Sequence, residues 1–135
     1  MGNFGLKVNR FYEIFVEQNG YVMVLEGLKN TLLIAVIGLI IGIVIGTLIA
    51  AIRTIPQYKV LPRVLNGICS VYVGIFRGTP MVVQLLVFYY VMLPLMGVKM
   101  TGVQVSMIVF GLNSAAYISE IMRSGIMSVD SGQME

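Results

Sequence analysis

The residues from Asn30 to Ile52 carry no charge, and Lys29 and Arg53 bracket them. As a helix rising 1.5 Å per residue this run is roughly 34 Å long, enough to cross a hydrocarbon core of about 30 Å. The whole chain agrees with that one run. Its 135 residues are 58% hydrophobic and 11% charged, with a mean hydropathy of +0.92, where an average soluble domain is about 25% charged. A soluble fold is excluded, and the predicted class is all-α, a polytopic bundle of transmembrane helices. The run is not a secretory signal peptide: its apolar part is too long, and Glu13, Glu17 and Glu26 precede it.

Two further uncharged runs, Gly78 to Val98 and Met100 to Ser119, are each about long enough to span. Between them Pro94-Leu95-Met96-Gly97, followed by Gly102, predicts a helix end and a short hairpin connection. The segment from Arg53 to Arg77 opens polar, with Gln57, Lys59, Arg63, Pro56 and Pro62, and closes with the apolar stretch 64–76, which is too short to span. It reads as an interfacial stretch feeding the second helix, which puts Arg77 within a turn or two of the membrane edge, where its side chain can snorkel to water. The predicted organisation is therefore a single transmembrane domain over 1–135 with spans at about 28–52, 70–94 and 101–123. Arg53, Lys59, Arg63 and Arg77 crowd one side of these spans and Arg123 follows the third, so that side is predicted cytoplasmic and the N-terminus outside. Phe4, Phe11, Tyr12, Phe15 and Tyr21 near the N-terminus predict a short helix at headgroup level.

Metal and enzyme chemistry have no visible apparatus. The chain has no histidine and one cysteine, Cys69, so it can form neither an internal disulfide nor a zinc-type ligand cluster, and Cys69 reads as a buried inert thiol. No Gly-rich phosphate loop followed by Lys and Ser or Thr occurs, so no nucleotide is expected to bind this chain. The net charge of +3 is spread between apolar runs and does not form a nucleic-acid surface.

Three features do carry candidate roles. Gly38, Gly42 and Gly46 line one face of the first span and predict close helix packing. At Arg77-Gly78-Thr79-Pro80, the proline cannot donate to the carbonyl of Phe76 and the glycine loosens the same turn. Two readings stay open there: a kinked helix whose freed backbone and Thr79 hydroxyl face a watery path, or an ordinary helix start with Thr79 as cap and Pro80 in the first turn. In the third span Ser106, Phe110, Asn113, Tyr117 and Glu120 share a face, with Ser114 beside it. Asn113 and Ser114 must meet protein or water, either as polar contacts between helices or as the lining of a solute path. Glu120 and Arg123, three apart, read as a helix-surface ion pair.

The stretches Glu26-Gly27-Leu28-Lys29-Asn30-Thr31-Leu32, Tyr72 to Gln84 with its Arg-Gly-Thr-Pro core, and Asn113 to Ile126 with Asn-Ser-Ala-Ala-Tyr resemble the polar amino-acid permease subunits of ABC importers, of the histidine, glutamine and arginine uptake type. The resemblance implies a type I importer permease in a bacterial inner membrane, moving an amino acid by alternating access and holding no cofactor itself. It implies as partners a separate ATPase subunit that uses ATP, a second permease subunit and an extracytoplasmic solute-binding protein. It implies that Asn113, Ser114 and Thr79 line the substrate path. It also implies that Gly132, Gln133 and Glu135 begin the cytoplasmic loop that couples to the ATPase. Subunits of that family have about five spans, so on this resemblance three are present and the chain stops at the coupling loop. A small channel or pore-forming membrane protein, and a truncated fragment that transports nothing, are the alternatives; copurification with an ATPase separates the first of these from a permease.

Overall fold

The computed structural model describes residues 2–56 and 58–129. Every regular element among them is helical. In chain order these are α1 (Gly2–Tyr12), a π-helical turn (Glu13–Glu17), α2 (Gly20–Thr54), α3 (Val60–Gly78), α4 (Met81–Met96) and α5 (Gly102–Ser128). By length and composition α2, α3 and α5 could each cross a membrane, and α4 is a shorter apolar helix. The residues fall into two compact units, Met1–Leu33 and Ile34–Glu135.

In the first unit, Phe11 stacks on Phe15 at 5.6 Å between ring centroids, and Phe15 meets Tyr21 edge-on at 6.5 Å. Asn19, at φ 56°, makes the turn into α2, a conformation that asparagine tolerates better than most side chains.

In the second unit α5 is the central helix. One cluster joins Ile49 of α2, Val73 of α3 and Ala116 of α5, with Ile45, Cys69, Tyr72 and Phe76 around it. Another joins Leu93 of α4 to Val105 and Val109 of α5, with Leu85, Phe88 and Met100. The glycine stripe of α2 seats directly on α5. A Cβ added at Gly38 would lie 3.2 Å from the Cβ of Phe110, one at Gly42 2.6 Å from the Cβ of Ser114, and one at Gly46 2.9 Å from Cγ2 of Ile118. Each step of four on α2 matches a step of four on α5 in the same direction, so the two helices run parallel and in register. The packing role expected of the glycines is what the structure displays.

The hairpin also forms where the sequence predicts it, with one difference in detail. Pro94 lies inside the last turn of α4, and Gly97 at φ 68° ends the helix in the left-handed conformation, with Val98 N–H bonded to Leu93 O at 3.1 Å. A proline ring crowds the carbonyl four residues earlier, and the π-helical turn Phe88–Met92 just upstream absorbs that conflict. Thr101 then opens α5 with a capping box: its Oγ1 accepts from Gln104 N–H, and Gln104 Oε1 accepts from Thr101 N–H.

The boundaries of the second helix differ from those predicted. Instead of one helix over about 70–94, α3 ends at Gly78, Thr79 and Pro80 are extended, and α4 begins at Met81. A charge-free run measures apolar length; it does not register a backbone break inside that length.

Candidate functional site

The break between α3 and α4 is where backbone groups lose helical partners, and one side chain replaces them. Gln84, one turn into α4 and 7% exposed, donates from Nε2 to Phe76 O at 2.9 Å, to Thr79 O at 3.1 Å and to Thr79 Oγ1 at 2.8 Å. The Thr79 hydroxyl itself donates to Ile75 O at 2.8 Å. Three oxygens converge on the amide nitrogen, which fixes the amide orientation and leaves Gln84 Oε1 buried without a hydrogen-bond partner among the described residues. Pro80, not Thr79, occupies the position before the first turn of α4, with Gln84 N–H bonded to Pro80 O. The helix is interrupted, as in the first of the two readings, but its freed carbonyls are met by Gln84 and the Thr79 hydroxyl by Ile75 O, and Thr79 does not cap α4 as the second reading has it. An apolar cavity of about 340 Å³ borders the break, lined by Ile75, Phe76, Thr79, Val83, Gln84 and Phe88 among others.

A second tie joins the same region to α5: the Tyr72 hydroxyl donates to Leu112 O, across α3 and α5. The next two residues, Asn113 and Ser114, are half-buried, and neither makes a side-chain hydrogen bond among the described residues. Their faces differ. Ser114 has its Cβ against Gly42 in the α2–α5 seam, while Asn113 shares the face of Tyr117, which is 44% exposed. Thr79, with its hydroxyl committed within its own segment, is not hydrogen-bonded to either. Ser106, on the same stripe, turns its hydroxyl back to Gly102 O. Gly132, Gln133 and Glu135 lie outside the described residues.

Parallel registration fixes the depth of this region. The uncharged run Asn30 to Ile52 has its midpoint at Ile41, and the adjacent Gly42 faces Ser114. Asn113 and Ser114 therefore sit at mid-depth of the apolar span. Tyr117 lies about one turn, or ~5 Å, further toward the Arg53 end. Arg77 places its guanidinium 5.5 Å over the Tyr117 ring, level with a point on α2 about two turns, or ~10 Å, short of the Arg53 end of the uncharged run.

At the end of α2, Arg53 Nη1 reaches Glu120 Oε2 at 2.9 Å, and Arg123 Nη2 reaches Glu120 Oε1 at 2.5 Å. The surface pair expected at Glu120 and Arg123 is thus a three-membered network that ties α2 to α5. Sequence reasoning missed Arg53 as a partner because it stands 67 residues away. It missed Gln84 and Tyr72 too, although each is a lone polar group inside an apolar run, a signal of the same kind that drew attention to Asn113.

The likeness to known proteins follows this geometry. No protein-family model matches the chain. It is 40% identical over 112 residues to a putative glutamine transport system permease protein of Rickettsia bellii, a match covering 83% of this chain and 49% of that protein. It is 38% identical over 112 residues to the arginine transport system permease protein of Bacillus subtilis, and 35% identical over 120 residues to the L-cystine transport system permease protein of the same organism. A crystal structure of an amino acid ABC transporter with histidines superposes with a TM-score of 0.73 at 31% identity, over 88% of this chain and 53% of that one. The chain spans about half the length of the curated relatives it matches. Sequence and fold agree over that half, and the chain is a multi-pass membrane protein related to the amino-acid ABC transporter permeases.

Proposed function

We propose that this chain is part of the membrane-embedded permease of an ATP-driven importer for polar amino acids, and that it contributes one wall of the translocation path. The observation that carries the reading is the Asn113 amide: it stands at mid-depth beside a broken helix and makes no hydrogen bond among the described residues. Leaving such an amide in hydrocarbon costs several kcal/mol, so it belongs against water, a polar solute or a polar group of another helix. Zwitterionic solutes need hydrogen-bonding groups when stripped of water, and the Asn113 amide is a group of the right chemistry. Ser114 stands in the seam against Gly42 and the Thr79 hydroxyl is bonded to Ile75 O, so both contribute to the path only if these contacts rearrange. The named activities of the relatives, glutamine, arginine and cystine transport, support that class of solute.

Energy in this reading comes from a separate ATPase subunit, with a second permease subunit completing the path and an extracytoplasmic binding protein delivering the amino acid. The chain sits in a bacterial inner membrane with its N-terminus outside. The end carrying Arg53 and Arg123 faces the cytoplasm, and Gly132, Gln133 and Glu135 open the coupling loop. The test is uptake of radiolabelled glutamine, arginine and cystine by the assembled transporter. Asn113→Leu is expected to abolish uptake while the subunit still copurifies with its ATPase. Wild-type rates in that variant would remove Asn113 from the path.

A further inference from the structure

Arg77 is a cation that the fold holds level with the uncharged run of α2. Its guanidinium lies 5.5 Å over the ring of Tyr117, about one helical turn from the level of Ser114 and Gly42, and half of a hydrocarbon core is about 15 Å thick. Charged side chains inside a membrane face the interior of a bundle or a watery cavity, and pair there with an anion. Glu120 is already shared by Arg53 and Arg123. Arg77 makes neither a salt bridge nor a side-chain hydrogen bond among the described residues, and its side chain is exposed. The other acidic residues of the described chain, Glu13, Glu17 and Glu26, precede the first apolar run altogether. Tyr117, the floor beneath the guanidinium, is four residues from Asn113 and on the same helix face.

From this we infer that Arg77 binds the carboxylate of the transported solute, with its planar fork of N–H donors free above the Tyr117 ring and the Asn113 amide one turn away. The inference rests on the reading of this chain as part of an amino-acid permease. Guanidinium matches carboxylate geometry bidentately, and an aromatic ring on one face leaves the in-plane donors available. Such a site prefers a free acid to its carboxamide, which has the same size without the charge.

The experiment compares uptake of L-arginine with L-argininamide, and of L-glutamine with its α-carboxamide, by the transporter reconstituted with a binding-protein-independent ATPase–permease complex carrying wild-type Arg77, Arg77→Gln or Arg77→Lys, so that the permease and not the binding protein sets the ratio. Wild type is expected to favour the free acid by about 100-fold or more, as sites built around a buried polar partner do. Arg77→Gln is expected to bring that ratio to within about 3-fold, and Arg77→Lys to restore much of it, since charge is retained while the fork is lost. A merely structural role lowers uptake of acid and amide together and leaves the ratio unchanged; that outcome overturns the inference and leaves the permease reading standing. If wild type takes up no amino acid at all, the permease reading falls, and the inference falls with it.

Discussion

The two helix junctions made by α5 are built on opposite principles. Against α2 it meets bare backbone, and the seam has no room for another carbon at Gly42 or Gly46 and little at Gly38. Against α3 and α4 it meets an interrupted helix, with a buried glutamine, a tyrosine hydroxyl and an arginine around Asn113. The first junction draws its strength from close van der Waals contact, which lipid tails cannot match when two backbones approach this nearly. The second depends on polar groups finding partners where water is scarce, and its Asn113 amide and Gln84 Oε1 have none among the described residues. α5 is thus held rigidly on one side and keeps unspent hydrogen-bonding capacity on the other.

The contrast can be broken most forcefully at Gly42. Gly42→Leu must push α2 from α5, and a loss of more than about 3 kcal/mol is expected from unfolding in mixed detergent micelles; a variant as stable as wild type would mean that the seam is loose. Gln84→Leu comes next. It strips the donor from Phe76 O, Thr79 O and Thr79 Oγ1, for a loss of about 2 kcal/mol, with faster amide exchange confined to residues around the break. Uniformly faster exchange would argue that the glutamine braces the whole bundle. At Glu120, a change to Gln keeps the shape but removes the charge shared by Arg53 and Arg123. The network is partly exposed, so about 1 kcal/mol is expected by the same unfolding assay. Smallest of all is Gly67→Ala on α3, where an added Cβ meets nothing within 4 Å; it is expected to leave stability unchanged or raise it by up to about 1 kcal/mol. A clear loss there would reveal a neighbour against that face of α3.

These differences also explain what could be read in advance. The glycine seam was legible because its signal is local: a four-residue spacing on one helix fixes which face is small, whatever helix lies opposite. The hairpin at Pro94 to Gly97 was legible for the same reason. Gln84 was not, because its role exists only once Thr79 and Pro80 interrupt the helix and free the carbonyls it serves. Arg53 and Glu120 could not be paired from spacing, since nothing in an isolated helix says which distant helix runs parallel to it. Asn113 and Ser114 were singled out together as polar interruptions, and only packing assigns one to the seam and the other to the face of Tyr117.

The parallel seam has a consequence for how the molecule is made. Thr47 meets Met122 across 75 residues of sequence, so the face of α2 that α5 covers has no partner when α2 first leaves the ribosome. At synthesis rates of about 5–20 residues per second, some 4–15 s pass before α5 is complete. During that interval the bare glycine face must be occupied by lipid, by insertion machinery or by another chain, and any of these must then be displaced. The close backbone contact at the glycine face thus waits for α5, and slowing translation between α2 and α5 lengthens the time for which that face stands open.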